Sequence, residues 1–221
     1  MPTKHQQKIR LYDLFAQIGK ALSSPARLEL LDLLTQAQRT VEELAAETGM
    51  SISNTSQHLQ RLKQAHLVEA ERDGIYIHYR LADPSVSELW HSLRLVADKQ
   101  LTEVDQALDA YRDRRHEFER ISVQDLHLRL QTEEVILLDA RPAVEYQTGH
   151  LPGALSVPVE AVEGILASLP DDKTIVAYCR GPYCVLADEV LAILAQAGRR
   201  IARLEEGVTE WQMAGYDVTH P

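Results

Sequence analysis

Cysteine, phenylalanine and long apolar runs are scarce in this sequence of 221 residues. It holds two cysteines and two phenylalanines, and aromatic residues make up 5% of the chain. Two thiols do not make a disulfide framework, which excludes the small secreted scaffolds and favours a reducing compartment. No uninterrupted apolar run approaches the ~18 residues of a membrane span, so no membrane partner is expected. The opening MPTKHQQKIRLYDLF has charge but no apolar core ahead of a small-residue cleavage site. A cytoplasmic location is therefore expected. Internal repeats and low-complexity tracts are also missing.

What is present is an ordinary globular composition, 45% hydrophobic and 25% charged, with a net charge of −10. That charge argues at first against nucleic acid, but it is unevenly spread. Residues 1–120 carry 16 Lys+Arg against 18 Asp+Glu, a net of −2, which leaves −8 for residues 121–221. A local basic face in the first half is compatible with these numbers.

The length suits two domains of about 100 residues each, expected at 1–111 and 122–221 with a charged linker over 112–121. The first reads as mainly helical. Apolar residues from Gln7 to Leu22 recur at helical spacing. Ser23-Ser24-Pro25 breaks and restarts the chain before ARLELLDLL, Pro being tolerated in a first helical turn. Thr40 with Glu43 three residues on is a capping-box pattern for a helix ending near Gly49, and Ser51 can cap another from Ile52 to about Ala65. Two short helices about a Gly-containing turn make a helix-turn-helix. LVEAERDGIYIHYRLAD then alternates around Asp73-Gly74, a hairpin signal, and the two together make a winged helix.

On the second of those short helices Ser51, Ser53, Asn54, Thr55, Ser56, Gln57, His58 and Arg61 supply hydrogen-bonding groups. Asn54 and Gln57 suit base edges; Arg61, Lys63, Arg72 and Arg80 suit phosphates. The bland alternative is a solvated polar face. One long helix is expected from Pro84 to about Glu119, with Leu89, Leu93, Val96, Leu101, Val104, Leu108, Tyr111 and Phe118 as its stripe. Such a stripe exceeds what a small winged domain buries and points to a homodimer, the alternative being a helix lying on its own domain.

The second half alternates: VILLDA, TIVAYC and IARLEE read as strands, PVEAVEGILASL and VLADEVLAILAQAG as helices. Short apolar strands alternating with helices imply a parallel sheet covered by helices, with ligand sites beyond the strand carboxyl ends. Both cysteines lie at such a place, in AYCRGPYCVLADEV between a strand ending at Tyr178 and a helix starting near Val185. A thiol at a helix N-terminus is driven towards thiolate, in known cases to roughly 3.5–7.5 from about 8.5. Arg180 can add positive charge, Gly181 allows positive φ, and Pro182 stiffens the turn. Cys179 and Cys184 supply at most two zinc ligands, and the residues after Cys184 lack the Arg of a phosphatase loop. A reversible disulfide remains compatible with a curled loop. No metal and no cofactor are expected.

LLDARPAVEYQTGHLPGALSVPVE, IVAYCRGPYC and LEEGVTEWQMAGYDV, in that order over about residues 121–220, resemble the motifs of a rhodanese domain, an α/β three-layer fold. The resemblance implies that Cys179 is a nucleophile carrying sulfur as a persulfide between a sulfane-sulfur donor and a thiol acceptor. It also implies that residues 179–184, with Arg180, Gly181, Pro182 and Tyr183, cradle the anion. Asp139 and Glu145 read as architectural, Arg141 as either structural or anion-attracting, His150 as a turn residue and Trp211 as core. Glu206 stands where the pattern commonly has Gly. Cys184 is a departure, read either as a loop-end hydrophobe or as a resolving thiol.

Residues 8–110 resemble the ArsR-type winged-helix repressors. That resemblance implies a homodimer reading an inverted repeat in double-stranded DNA, its recognition helices about one turn apart. No cysteine lies in this half, so the family's thiolate metal sites are absent, and His91 with Asp98 is thin support for another. The combined expectation is a repressor whose second domain registers reactive sulfur or oxidant through Cys179, with or without linkage to Cys184. The alternatives are a sulfurtransferase with an autoregulatory DNA-binding half, and a thiol oxidoreductase using the cysteine pair.

Overall fold

The computed structural model describes residues 2–112, 118–132 and 134–220. The chain divides into two compact units, Met1–Leu101 and Thr102–Pro221.

In the first unit, α1 (Lys4–Leu22) and α2 (Pro25–Gln36) precede a two-residue strand β1 (Arg39–Thr40), then α3 (Val41–Thr48) and α4 (Ile52–Gln64). The sequence signals act as anticipated. Glu43 Oε2 accepts from the Thr40 N–H at 2.7 Å while Thr40 Oγ1 accepts from the Glu43 N–H at 3.2 Å. Gly49 ends α3 at φ 67°, a left-handed cap that favours glycine. Ser51 Oγ accepts from the Asn54 N–H to start α4. Then β2 (Val68–Asp73) and β3 (Tyr76–Leu81) form the antiparallel wing about Gly74, with β1 on the other side of β3. Leu30, Leu31, Leu44, Leu59, Leu62 and Tyr79 fill the core beneath. The unit ends with α5 (Pro84–Gln100), capped by Asp83.

The single helix expected from Pro84 to about Glu119 is interrupted. Leu101 takes an extended conformation (φ −115°, ψ 96°) and a new helix, α6 (Glu103–Arg112), begins in the second unit. The reason is a start signal inside the stripe: Thr102 is followed by Glu103 and Asp105, acids that favour a helix N-terminus. The division between units thus falls after Leu101, ten positions earlier than the sequence pattern suggested. Of the expected linker, residues 113–117 lie outside the described residues, while Glu119–Ile121 form a strand, β4.

The rest of the second unit runs α7 (Val123–Gln131), β5 (Val135–Asp139), α8 (Ala143–Thr148), β6 (Leu155–Ser156), α9 (Val162–Ile165), β7 (Thr174–Tyr178), α10 (Leu186–Gln196), β8 (Ile201–Leu204) and α11 (Val208–Met213). The five strands pair in parallel in the order β4-β8-β7-β5-β6. Alternation along β7 splits the core. Val176 and Tyr178 pack with Leu126, Leu151 and Trp211, whereas Ile175, Ala177 and the following Cys179 pack with Val162, Val190 and Leu191. Both faces of the sheet are therefore covered, which is why its strands read as continuous apolar runs. β4 and β6 escaped the sequence reading because three and two residues are too short to display a period. Among the described residues, no helix is long and apolar enough to cross a membrane.

Candidate functional site

Cys179 follows the last residue of β7, and α10 opens seven residues later, at Leu186. Gly181 takes φ 123° and the Cys184 N–H donates to the Gly181 carbonyl, so the loop curls tightly. A neighbouring chain segment presses on it. A Cβ on Gly207 would lie 2.8 Å from the Arg180 carbonyl carbon and 2.9 Å from the Cys179 oxygen. Those are backbone atoms that cannot swing aside. Gly207→Ala is therefore expected to cost about 1–3 kcal/mol by overpacking, read as a lower urea midpoint for the second unit.

Cys179 is 1% exposed, Cys184 is half-buried, and both are free thiols. Burial pushes the Cys179 thiol up, but three groups outweigh it: the hydrogen bond with Cys184, the Arg203 guanidinium and the Ala187 N–H in the first turn of α10. Asp188 opposes them, and the net result is a fall to about 7. Cys184 moves the other way, raised by the bond it gives Cys179 and by burial. The pair thus divides into a sulfur poised to ionise and one that keeps its proton.

The cation beside the sulfur is not the one the sequence suggested. Arg180 adjoins Cys179 in the chain, yet its guanidinium lies on the buried carboxylate of Glu145, Nη2 to Oε1 2.7 Å. Arg203, from the middle of β8, takes the place beside the thiol. It is 1% exposed, donates to the carbonyl of Cys184 at 3.1 Å and of Gly181 at 3.4 Å, and pairs with Asp188 at 3.0 Å. Sequence reading missed it because residues 203 and 179 meet only across the register Ala177↔Arg203. The available signal was an arginine inside an otherwise apolar buried strand.

Arg141 forks onto Asp139, at 2.6 and 2.9 Å, and donates to the Gly149 carbonyl. Asp139 in turn accepts from the Tyr178 hydroxyl at 2.5 Å. This cluster ties the end of β5 to β7 and to the turn before His150. Pro182 offers its carbonyl to Arg112 of α6, and Tyr183 is half-buried beside it in the chain.

In the first unit most of the polar side chains named on α4 are open to solvent. Ser51, Ser53, Asn54, Gln57, Arg61 and Lys63 are exposed, and Ser56 and His58 are half-buried. Thr55 is a correction: it is 0% exposed and its hydroxyl donates to the Ser51 carbonyl at 3.1 Å. It shares with Leu59 and Leu62 the four- and three-residue steps of the packed face, so it serves the core rather than a ligand. On the wing, Arg72 is exposed and donates to the Gly74 carbonyl, and Arg80 pairs across the strands with Glu69 at 2.5 Å. Exposed pairs of this kind are weak and open readily to a stronger anion.

Two separate segments of the chain match family models. Residues 24–70 match the model "Bacterial regulatory protein, arsR family", and residues 122–214 the model "Rhodanese-like domain". The HTH-type transcriptional regulator Rv0324 of Mycobacterium tuberculosis is 42% identical over 218 residues, 99% of this chain and 96% of its own. This chain belongs to that family: an ArsR-family helix-turn-helix regulator with a C-terminal rhodanese-like domain. A sulfurtransferase of Allochromatium vinosum is 31% identical over 46% of this chain and 94% of its own. The homodimeric winged helix-turn-helix domain of Mb0332 from Mycobacterium bovis, solved by NMR, is 42% identical with a TM-score of 0.43, covering 47% of this regulator and 95% of that fragment.

Proposed function

We propose that this regulator is a homodimeric repressor of double-stranded DNA whose rhodanese-like domain takes a sulfur atom onto Cys179 and thereby changes operator affinity. The observation that carries the reading is the buried Cys179, lowered towards neutrality at the start of α10. A thiolate there attacks the outer sulfur of a sulfane donor; with thiosulfate the S–S bond breaks, sulfite leaves with the electron pair, and Cys179 holds a persulfide. Cys184 can then attack the inner sulfur, forming a Cys179–Cys184 disulfide and releasing hydrosulfide with the proton. Because Cys179 is buried, uptake requires the loop to open, so the chemistry itself demands a conformational response.

Dimerisation is supported by apolar side chains left open on α1 and α5: Ile9, Leu11, Phe15, Leu89, Leu93 and Val96. Six large apolar residues facing water on two helices of one unit suit a partner copy. In this reading Asn54 and Gln57 contact base edges while Arg61, Lys63, Arg72 and Arg80 contact phosphate. Arg61→Ala is then expected to weaken binding to all sequences alike and to reduce the slope of log affinity against log salt by about 2 per dimer. Fluorescence anisotropy across a salt series measures it.

The function is tested by operator binding with reduced, oxidised and polysulfide-treated protein, together with intact-mass measurement. In wild type the expected products are one added sulfur atom at first and then, after Cys184 attacks, a disulfide two hydrogens lighter than the dithiol, with a matching change in DNA affinity; Cys179→Ser should show neither. A second reading, a sulfurtransferase whose DNA-binding unit regulates its own operon, is favoured by the sulfurtransferase relative. It is preferred if sulfur transfer turns over while operator affinity ignores the thiol state.

A further inference from the structure

Among the described residues, three ion pairs of the second unit have a fully buried carboxylate: Asp139–Arg141, Glu145–Arg180 and Asp188–Arg203. A further buried guanidinium belongs to Arg112, the last residue of α6, which is 5% exposed. It lies ten residues before the segment that matches the rhodanese model, in a stretch read from sequence as linker. Its Nη2 donates to the carbonyl of Pro182 in the middle of the cysteine loop. Its Nε is buried and has no hydrogen-bond partner among the described residues. Burial lowers its pKa, nearby Arg203 and then Arg120 lower it further, and Asp188 and Glu205 oppose them. Arg112 and Arg203 therefore share one electrostatic neighbourhood, and each holds carbonyls of the same loop.

Building the sulfur site upward from these contacts, two guanidiniums grip the carbonyl side of residues 181–184. Asp188 is the buried carboxylate paired with Arg203, and the ionised sulfur of Cys179 is a second negative charge near this group. A guanidinium buried beside another guanidinium is stabilised by any anion added there. Each carbonyl held by an arginine also fixes the peptide plane whose N–H faces the other way.

We propose that Arg112 is a positioning residue of the Cys179 site, so that the helix leading in from the DNA-binding unit completes the active loop by clamping Pro182 and, with Arg203, favouring the anionic sulfur. The inference rests on the reading of Cys179 as a reactive thiolate. Groups facing Cys179 are Cys184 on the loop, Arg203 on β8 and Asp188 on α10. Arg180 with its partner Glu145, and Glu210 of α11 against Gly181, flank the loop. Arg112 acts through the loop and Arg203.

The experiment is the rate of iodoacetamide alkylation of Cys179 against pH, by peptide mass spectrometry, in the full-length protein and its variants. Wild type is expected to reach half-maximal rate near pH 7. Arg112→Gln is expected to raise the midpoint by about one unit, a roughly fivefold loss of thiolate at pH 7 that approaches tenfold well below it, with a melting curve that still shows a folded second unit. Arg112→Lys, which keeps charge but loses the fork, should fall between them. Arg129→Gln, which removes the surface pair with Glu119, is expected to overlay wild type. If folded Arg112→Gln and Arg112→Lys both overlay wild type, Arg112 is only a structural contact and the inference is wrong. Should Arg112→Gln fail to fold, Arg112→Lys decides alone by the same criterion. A wild-type midpoint near that of a free cysteine would instead overturn the thiolate reading itself.

Discussion

Cys179→Ser is expected to leave operator binding intact and to erase its response to polysulfide. Serine fits a site where cysteine packs among Val190, Leu191 and Ala187, so the fold should persist. Its hydroxyl does not ionise near neutral pH, however, and cannot accept a sulfur atom. For wild type, a change in operator affinity of about 10-fold, the ordinary scale of coupling between two sites, is expected on persulfidation. In the variant that factor should fall to one. Titration of labelled operator against each protein, with and without polysulfide, gives the ratio directly. A Cys179→Ser protein that still responds would assign the sensing to another residue and remove the reason for reading the loop as a switch.

Cys184→Ser separates the two thiols. It keeps the nucleophile but removes the attacking partner, so the persulfide should accumulate in place of the disulfide. The serine hydroxyl can still donate to Cys179, so the first step should survive. If Cys184 were only a loop-end hydrophobe, the two proteins would give the same products.

Arg203→Leu is expected to have the largest effect on stability. The substitution strands Asp188, which is 1% exposed, without its guanidinium, and two loop carbonyls lose their donor. Removing one member of a buried pair typically costs about 3–5 kcal/mol. Urea unfolding of the second unit should show a loss of that order. Arg203→Leu with Asp188→Leu should recover much of it, because an apolar pair of similar volume needs no charge compensation. Both variants should also raise the Cys179 thiol, since the Arg203 cation is one of the groups that lower it, the double variant by less because the opposing Asp188 is lost as well. The double variant thus distinguishes lost stability from lost ionisation: it is expected to fold well yet alkylate slowly at neutral pH.

Much of this organisation was legible in the chain because it is encoded locally. The capping box at Thr40 and Glu43, the left-handed Gly49 and the Asp73-Gly74 turn each involve residues within four positions of one another. Their consequences appear in the structure with the predicted partners. Local reading failed where one signal masked another. The apolar stripe from Leu89 to Phe118 looked continuous, although Thr102, Glu103 and Asp105 start a new helix within it. Thr55 looked like its polar neighbours, but helical geometry puts it with Leu59 and Leu62 on the packed side.

The sequence by itself determined the two kinds of unit, the helix-turn-helix with its wing, and the placing of Cys179 at a strand-to-helix loop. Hydrophobic period, caps and turns act between neighbours in the chain, so they can be read without coordinates. Tertiary structure decided which charges meet the sulfur. Arg180, next in the chain, is drawn off to Glu145, while Arg203 arrives beside the sulfur from β8 and Arg112 reaches only the Pro182 carbonyl of the loop from α6. The physical reason is burial. A guanidinium withdrawn from water must find a carboxylate or carbonyl, and only the packed sheet and its covering helices determine which ones lie within reach.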